Sequence, residues 1–291
     1  MANNKLLVDE RQADLGNFMV GRLLPFRQKR QVGPFTFIDH MGPTTLKNGH
    51  YMDVDQHPHI GLSTLTYLFS GEIEHKDSIG SEQIITPGDV GFMTAGKAVT
   101  HTERTPKKNR NGEILMHGYQ IWVALPVDKE EMEPRFDFYS KNAVPQWKEN
   151  GLHMKLVAGE AFGKTSPLTG YSPMFMVDVY AEKATTLNLR GQLKGEVAFV
   201  IVKGSITDEG QTVNQGQMLI SKTDEECEIQ LEENTQILLF GGQPLPEERF
   251  LLWNFVSHSK ARLQQAKEDW ENKQFPKVPG DETYIPFPVL K

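Results

Sequence analysis

Two pairs of metal-ligand residue types bracket the stretch from His57 to Glu103: His57-Pro58-His59 opens it and His101-Thr102-Glu103 closes it. Between them, turns cut the sequence into short strand-like runs, and this rhythm constrains the chain more than any other feature. Leu62 to Phe69 is rich in β-branched and aromatic residues, Ser70-Gly71 is a turn, Ile84-Ile85 a short strand, and Pro87-Gly88-Asp89 a second turn. Side chains two apart on a strand share a face, so each pair points one way. A meander of this kind folds back until the two pairs face each other across a barrel. Three imidazoles and one carboxylate make a borderline donor set that suits iron, nickel, copper or zinc. Four protein ligands on a six-coordinate ion leave two positions open, which favours catalysis over a closed structural site. Pro58 lacks an N–H and predicts an edge strand or a barrel rim. Either pair alone is common on strands, so the residues themselves leave a metal site and two unrelated pairs both open.

The strand rhythm returns in the second half. Leu152 to Val157, Met174 to Tyr180, Thr185 to Leu189, Val197 to Val202, Ile206-Thr207, Gly216 to Ile220 and Ile237 to Gly241 all read as strands, which predicts a second barrel. That half carries Gly195-Glu196-Val197-Ala198 where the first has His-x-His, and no histidine falls between His153 and His258. The expectation is an all-β chain of two jelly-roll barrels. Residues 1–140 would form the metal-binding one and residues 141–291 a degenerate one that binds no metal, joined through a charged run at Asp128 to Pro134. From Ser259 to Phe275 the period changes: Leu263, Ala266 and Trp270 recur at helical spacing, so a C-terminal helix capped by Ser257 or Ser259 packs one stripe on a barrel. Pro276 to Leu290 holds four prolines and reads as an extended arm.

A length of 291 residues suffices for two cores, and a formal net charge of −7 argues against a dedicated nucleic-acid binder. The longest apolar run, Val197 to Val202, is far too short to span a membrane, and no apolar leader follows Met1. Cys227 is the single cysteine, which rules out an intrachain disulfide and suits a reducing cytoplasm. Its acidic neighbours, Asp224 to Glu228, oppose a thiolate role.

Several other residues carry competing readings. His40, after an apolar strand, is a fifth ligand or, by preference, a hydrogen-bonding strand-end histidine. His50 reads as a surface residue. His75 and Asp77, set among charges, read as an exposed hairpin. The basic segment Arg104 to Gly112 either lies over the pocket and attracts anions or is a solvated loop. The basic cluster Arg22, Arg27, Lys29 and Arg30 reads as a solvated face. Gln120, in Gln120-Ile121-Trp122, reaches a substrate or a structural partner.

Together with Ile60-Gly61, Met93 to Gly96, Gly242 to Leu245 and Trp253 to Val256, these motifs resemble the pirins, a bicupin branch of the cupin superfamily, over nearly the whole chain. The resemblance implies two stacked barrels and one metal, held by His57, His59, His101 and Glu103. The ion would be Fe(II) before nickel, zinc, copper or manganese. Pirins often carry a Glu four residues after the second histidine, where this chain has Ser63. Similarity to the bacterial pirin-like quercetinases implies a dioxygenase, an oxidoreductase that takes a small aromatic substrate of the flavonol type and dioxygen, with Glu103 as catalytic proton acceptor. The alternative that the family offers is a metal- and redox-responsive regulator that binds a protein partner.

Overall fold

A computed structural model describes residues 5–15, 18–47, 49–221 and 228–289; Cys227 lies outside the described residues. Strands dominate, with one helix of more than a single turn among the described residues, Lys260–Glu271. The chain divides into two compact units, and each is assembled from three separated stretches. One comprises Met1–Arg11, Gly21–Phe37 and Asn142–Leu245; the other comprises Gln12–Val20, Ile38–Lys141 and Pro246–Lys291. A single cut near residue 140 does not describe this division: the helix and tail fall in the unit that holds the histidine pairs, and the first strand falls in the other. Each unit is a jelly-roll sandwich of a larger and a smaller antiparallel sheet, not a single closed barrel.

In the first unit the larger sheet runs in the order Leu6–Asp9, Gln217–Ser221, Glu196–Lys203, Thr235–Gly242, Met174–Ala181, Leu152–Ala161, Gln146–Glu149. The smaller runs Thr185–Asn188, Glu228–Leu231, Ser205–Asp208, Gln211–Asn214. Period-two alternation turns Phe175, Val177, Phe199, Ile201, Leu187 and Ile229 into one apolar core. Two of the basic residues read as solvated have partners in this unit: Lys29 pairs with Glu196, and the Arg22 guanidinium lies 4.4 Å from the centre of the Phe37 ring.

In the second unit the larger sheet includes Arg135–Tyr139, Val90–Thr94, Leu62–Ser70, Ile114–Ala124 and, from residue 38 on, the Phe35–Leu46 strand. The smaller sheet is Asp53–His59, Val99–Arg104, Ile73–Asp77, Glu82–Ile85 in that order, so the Pro58 strand is indeed an edge. Ser259 caps the helix by accepting a hydrogen bond from the Arg262 amide at 3.4 Å, and Leu263, Ala266 and Trp270 are its buried residues, as their spacing predicted. They pack with Ile60, Phe255 and Phe275. The charged run that read as a linker contains a buried anchor: Glu130 accepts from Ser257 Oγ at 2.8 Å and the His258 amide at 3.0 Å, and pairs with Arg249 at 3.0 Å.

The proline-rich tail is a strap across the edge strand. Gln56, between Asp55 and His57, is saturated by the tail. Its Nε2 donates to the carbonyls of Asp281 and Thr283 at 2.8 and 2.9 Å, and its Oε1 accepts from the Val278 amide at 2.8 Å. Its own carbonyl accepts from the Ile285 amide at 2.9 Å. Tyr284 stacks on Trp270 with ring centres 4.5 Å apart, fixing the strap to the helix.

Candidate metal centre

Strand register explains how distant residues meet. His101 lies opposite His57 on one side and Asp77 on the other, and Glu103 lies opposite His75. A bulge between His101 and Glu103 shifts the pairing, so that Glu103 faces Val54 rather than Asp55. Alternation then turns His57, His59, His101, Glu103, His75 and Asp77 to the inner face, where all are buried. His57, His59 and His101 bring ligand atoms within 4.8 Å of one another, and His101 and Glu103 do the same with His75.

Hydrogen bonding decides which nitrogen each ring offers. His57 Nδ1 donates to the Asp55 carbonyl at 2.8 Å and His59 Nδ1 to the Asn254 carbonyl at 3.2 Å. His101 Nδ1 stands 3.4 Å from His75 Nδ1. His57 and His59 thus each have an acceptor for an Nδ1–H and keep the Nε2 lone pair. His59 Nε2 and His101 Nε2 are 3.1 Å apart. Two bare lone pairs at that distance repel, and a cation shared between them removes the repulsion. Two nitrogens about 2.1 Å from one ion at a right angle stand about 3 Å apart. The donor set therefore fits a transition metal.

Burial sets the protonation. It lowers the His57 ring to about 4, against smaller opposing help from the Asp55 carbonyl, and it holds His59 and His101 well below the usual imidazole range. Neutral imidazoles are the form that a metal needs. The Glu103 carboxyl moves the other way: burial pushes it up, and hydrogen bonds to Thr66 and Gln120 act against it. The Thr66 hydroxyl lies 2.8 Å from Gln120 Oε1 and 3.3 Å from Glu103 Oε1, so Gln120 reaches the site as its sequence position suggested. Trp122 sets its ring edge-on to His59, centres 5.1 Å apart. Ser63 is buried and hydrogen-bonded to Thr94 Oγ1 at 3.0 Å.

His75 and Asp77 form no exposed hairpin; both are buried on the ligand face, with Nε2 to Oδ2 at 3.1 Å. The alternation Ile73-x-His75-x-Asp77, with Glu74 and Lys76 pointing out, was the available signal. His40 stands apart from the four, stacked on Tyr119 at 4.5 Å with its Nε2 3.0 Å from His117 Nε2. His50 is exposed. The basic segment after Glu103 is tied down: Arg104 to Asp55 at 2.7 Å and to Asp281, Arg110 to Asp53 at 2.9 Å, Lys108 to Glu72 at 2.8 Å. Burial acts to raise the Asp281 carboxyl, but Arg104 and Thr283 outweigh it and hold it down at about 2.

The comparisons agree with this architecture. The Pirin family model matches residues 17–123, and that of the Pirin C-terminal cupin domain matches residues 176–276. A pirin-like protein of Caulobacter vibrioides is 44% identical over 288 residues, covering 97% of this chain and 99% of that one. The crystal structure of a quercetin 2,3-dioxygenase from Acinetobacter baumannii superposes with a TM-score of 0.90 at 34% identity, over 99% of this chain and 96% of that one. The bacterial pirin YhhW of Escherichia coli, solved in complex with nickel(II), shares the fold at a TM-score of 0.64 and 21% identity, over 83% of this chain and all of its own. Two family models, a near full-length relative and the bicupin architecture converge: the chain belongs to the pirin family.

Proposed function

We propose that this pirin is a metal-dependent dioxygenase acting on flavonol-like vicinal hydroxy-ketones, with His57, His59, His101 and Glu103 as the ligands of one ion, Fe(II) in first place. The observation that carries the reading is the convergence of ligand atoms of three buried imidazoles beside a buried carboxylate. When bound, the ion would supply Lewis acidity that lowers the pKa of a substrate hydroxyl. Glu103 takes that proton at a carboxylate oxygen. Thr66 and Gln120 hold the carboxylate in place, and the Trp122 ring supports an aromatic ligand at the same face. Substrate and dioxygen are the partners. A cytoplasmic setting goes with the reading, supported by the lone Cys227; among the described residues no helix is long and apolar enough to cross a membrane.

The regulatory alternative requires the cations of the Arg104–Arg110 segment to respond to a change of charge at the metal. Arg104, Lys108 and Arg110 are already engaged by acidic side chains, which favours the enzyme. Metal content and oxygen uptake with quercetin test the proposal. Iron-loaded wild type should hold about one ion per chain and consume oxygen, and His57→Ala should lose both. Wild type that holds metal but takes up no oxygen across a panel of hydroxy-ketones overturns the enzyme reading.

A further inference from the structure

Asp77 is wholly buried, and its two oxygens have separate tasks. Oδ1 accepts from the amides of Ile79 at 3.1 Å and Ser81 at 2.8 Å, which anchors the carboxylate in its turn. Oδ2 faces His75 Nε2 at 3.1 Å. The His75 ring is clamped flat against Phe136, centres 4.3 Å apart and planes 12° apart, so its other nitrogen has one direction to point. That nitrogen, Nδ1, meets His101 Nδ1 at 3.4 Å.

A carboxylate only accepts, and a neutral imidazole donates through one nitrogen and accepts at the other. Asp77 therefore fixes the proton of His75 on Nε2. His75 Nδ1 is left as a lone pair and accepts the Nδ1–H of His101, which leaves His101 Nε2 bare and aimed at His59 Nε2. We infer that Asp77 and His75 are positioning residues: a buried carboxylate–imidazole chain that fixes the tautomer and ring orientation of the central ligand His101 and increases its donor strength. The inference rests on the proposed ligand role of His101 for its meaning, but the tautomer is a property of the chain alone. Partners of this kind typically change metal affinity 10–100-fold.

Asp77→Asn tests the direction of the chain. The amide oxygen keeps the bonds from Ile79 and Ser81, so its NH2 faces His75 Nε2. That donor forces the His75 proton to Nδ1, which in turn drives the His101 proton to Nε2. Two readouts apply: the 15N tautomer pattern of His101 in metal-free protein at about pH 8, where imidazole is ordinarily neutral, and the zinc and nickel dissociation constants by chelator competition. Wild type should show His101 protonated on Nδ1. Asp77→Asn should move that proton to Nε2 and weaken metal binding about 10–100-fold. His75→Phe, which keeps a ring against Phe136 and removes both nitrogens, should weaken binding and release the His101 proton from Nδ1, because no acceptor then faces that nitrogen. Wild type with its His101 proton already on Nε2 overturns the inference, and so does Asp77→Asn with unchanged tautomer and affinity. Should wild type bind no metal, the ligand reading falls, while the tautomer pattern still decides the chain.

Discussion

The two units solve one packing problem with opposite chemistry. In the smaller sheet of the first unit the buried positions are Leu187, Ile206, Val213, Ile229 and Leu231, all part of its apolar core, and Asp208, which pairs with Lys5 at 2.5 Å. In the smaller sheet of the second, three adjacent strands turn His57, His59, His75, Asp77, His101 and Glu103 inward, with Ile73 and Val99 as apolar neighbours on those strands' inner face. Apolar side chains hold their sheet through burial itself, at about 25 cal/mol per Å². Imidazoles and carboxylates gain little that way and need a partner for every polar atom. The second unit supplies the missing hold from outside, where the strap fastens to Gln56 and Arg104, residues adjacent in sequence to the ligands. A site built from inward-facing ligands removes cohesion from its own sheet, and the reverse face restores it.

Four outcomes would break or sharpen that contrast. Phe199→Ala, in the filled core, should cost about 3–5 kcal/mol in denaturant unfolding and leave metal affinity unchanged; His57→Ala should do the reverse, removing metal with a smaller cost in stability. Equal stability losses would erase the distinction.

The pH response should also separate the units. His57 is lowered to about 4 in the folded protein, so the unfolded chain takes up its proton first as pH falls. Stability is fully present above the unfolded value near 6.5 and declines as pH drops toward 4, by roughly 3 kcal/mol for this residue in metal-free protein. His57→Leu should flatten that decline, and an unchanged slope would remove His57 from the account.

Gln56→Ala cuts the strap from the edge strand and leaves the buried Val278 amide without its partner. About 1–3 kcal/mol should be lost, with faster hydrogen exchange across Asp53–His59 and Val99–Arg104; exchange that stays as in wild type would show that the strap does not secure those strands. The smallest effect belongs to the helix cap. Ser259→Ala should lower stability by about 1 kcal/mol with no change in metal content, and any loss of metal would tie the helix to the site more closely than its contacts do.

Local pattern carried much of this in the sequence. Two i, i+2 pairs separated by turns announced a shared inner face, and Leu263, Ala266 and Trp270 announced a helix with one buried stripe. Charge misled where burial was decided at long range. His75 and Asp77 stand among Glu74, Lys76 and Glu82, yet the strand period puts the first two inside and Glu74 and Lys76 at the surface. Glu130 was lost in a charged run because its partners, Ser257, His258 and Arg249, lie more than 100 residues away. Non-local strand addition was equally hidden. Nothing in Leu6–Asp9 itself specifies pairing with Gln217–Ser221; that pairing answers the need of an edge strand for a neighbour.

The strap also imposes an order in time. The ligand strands are complete once Glu103 has been made, but the residues that close behind them extend to Ile285, roughly 180 positions later. At about 5–20 residues per second, synthesis leaves the ligand-bearing edge without its clasp for roughly 10–40 s. During that interval the open edge of the Asp53–His59 strand is a surface that a chaperone or another nascent chain can occupy before the chain's own tail arrives.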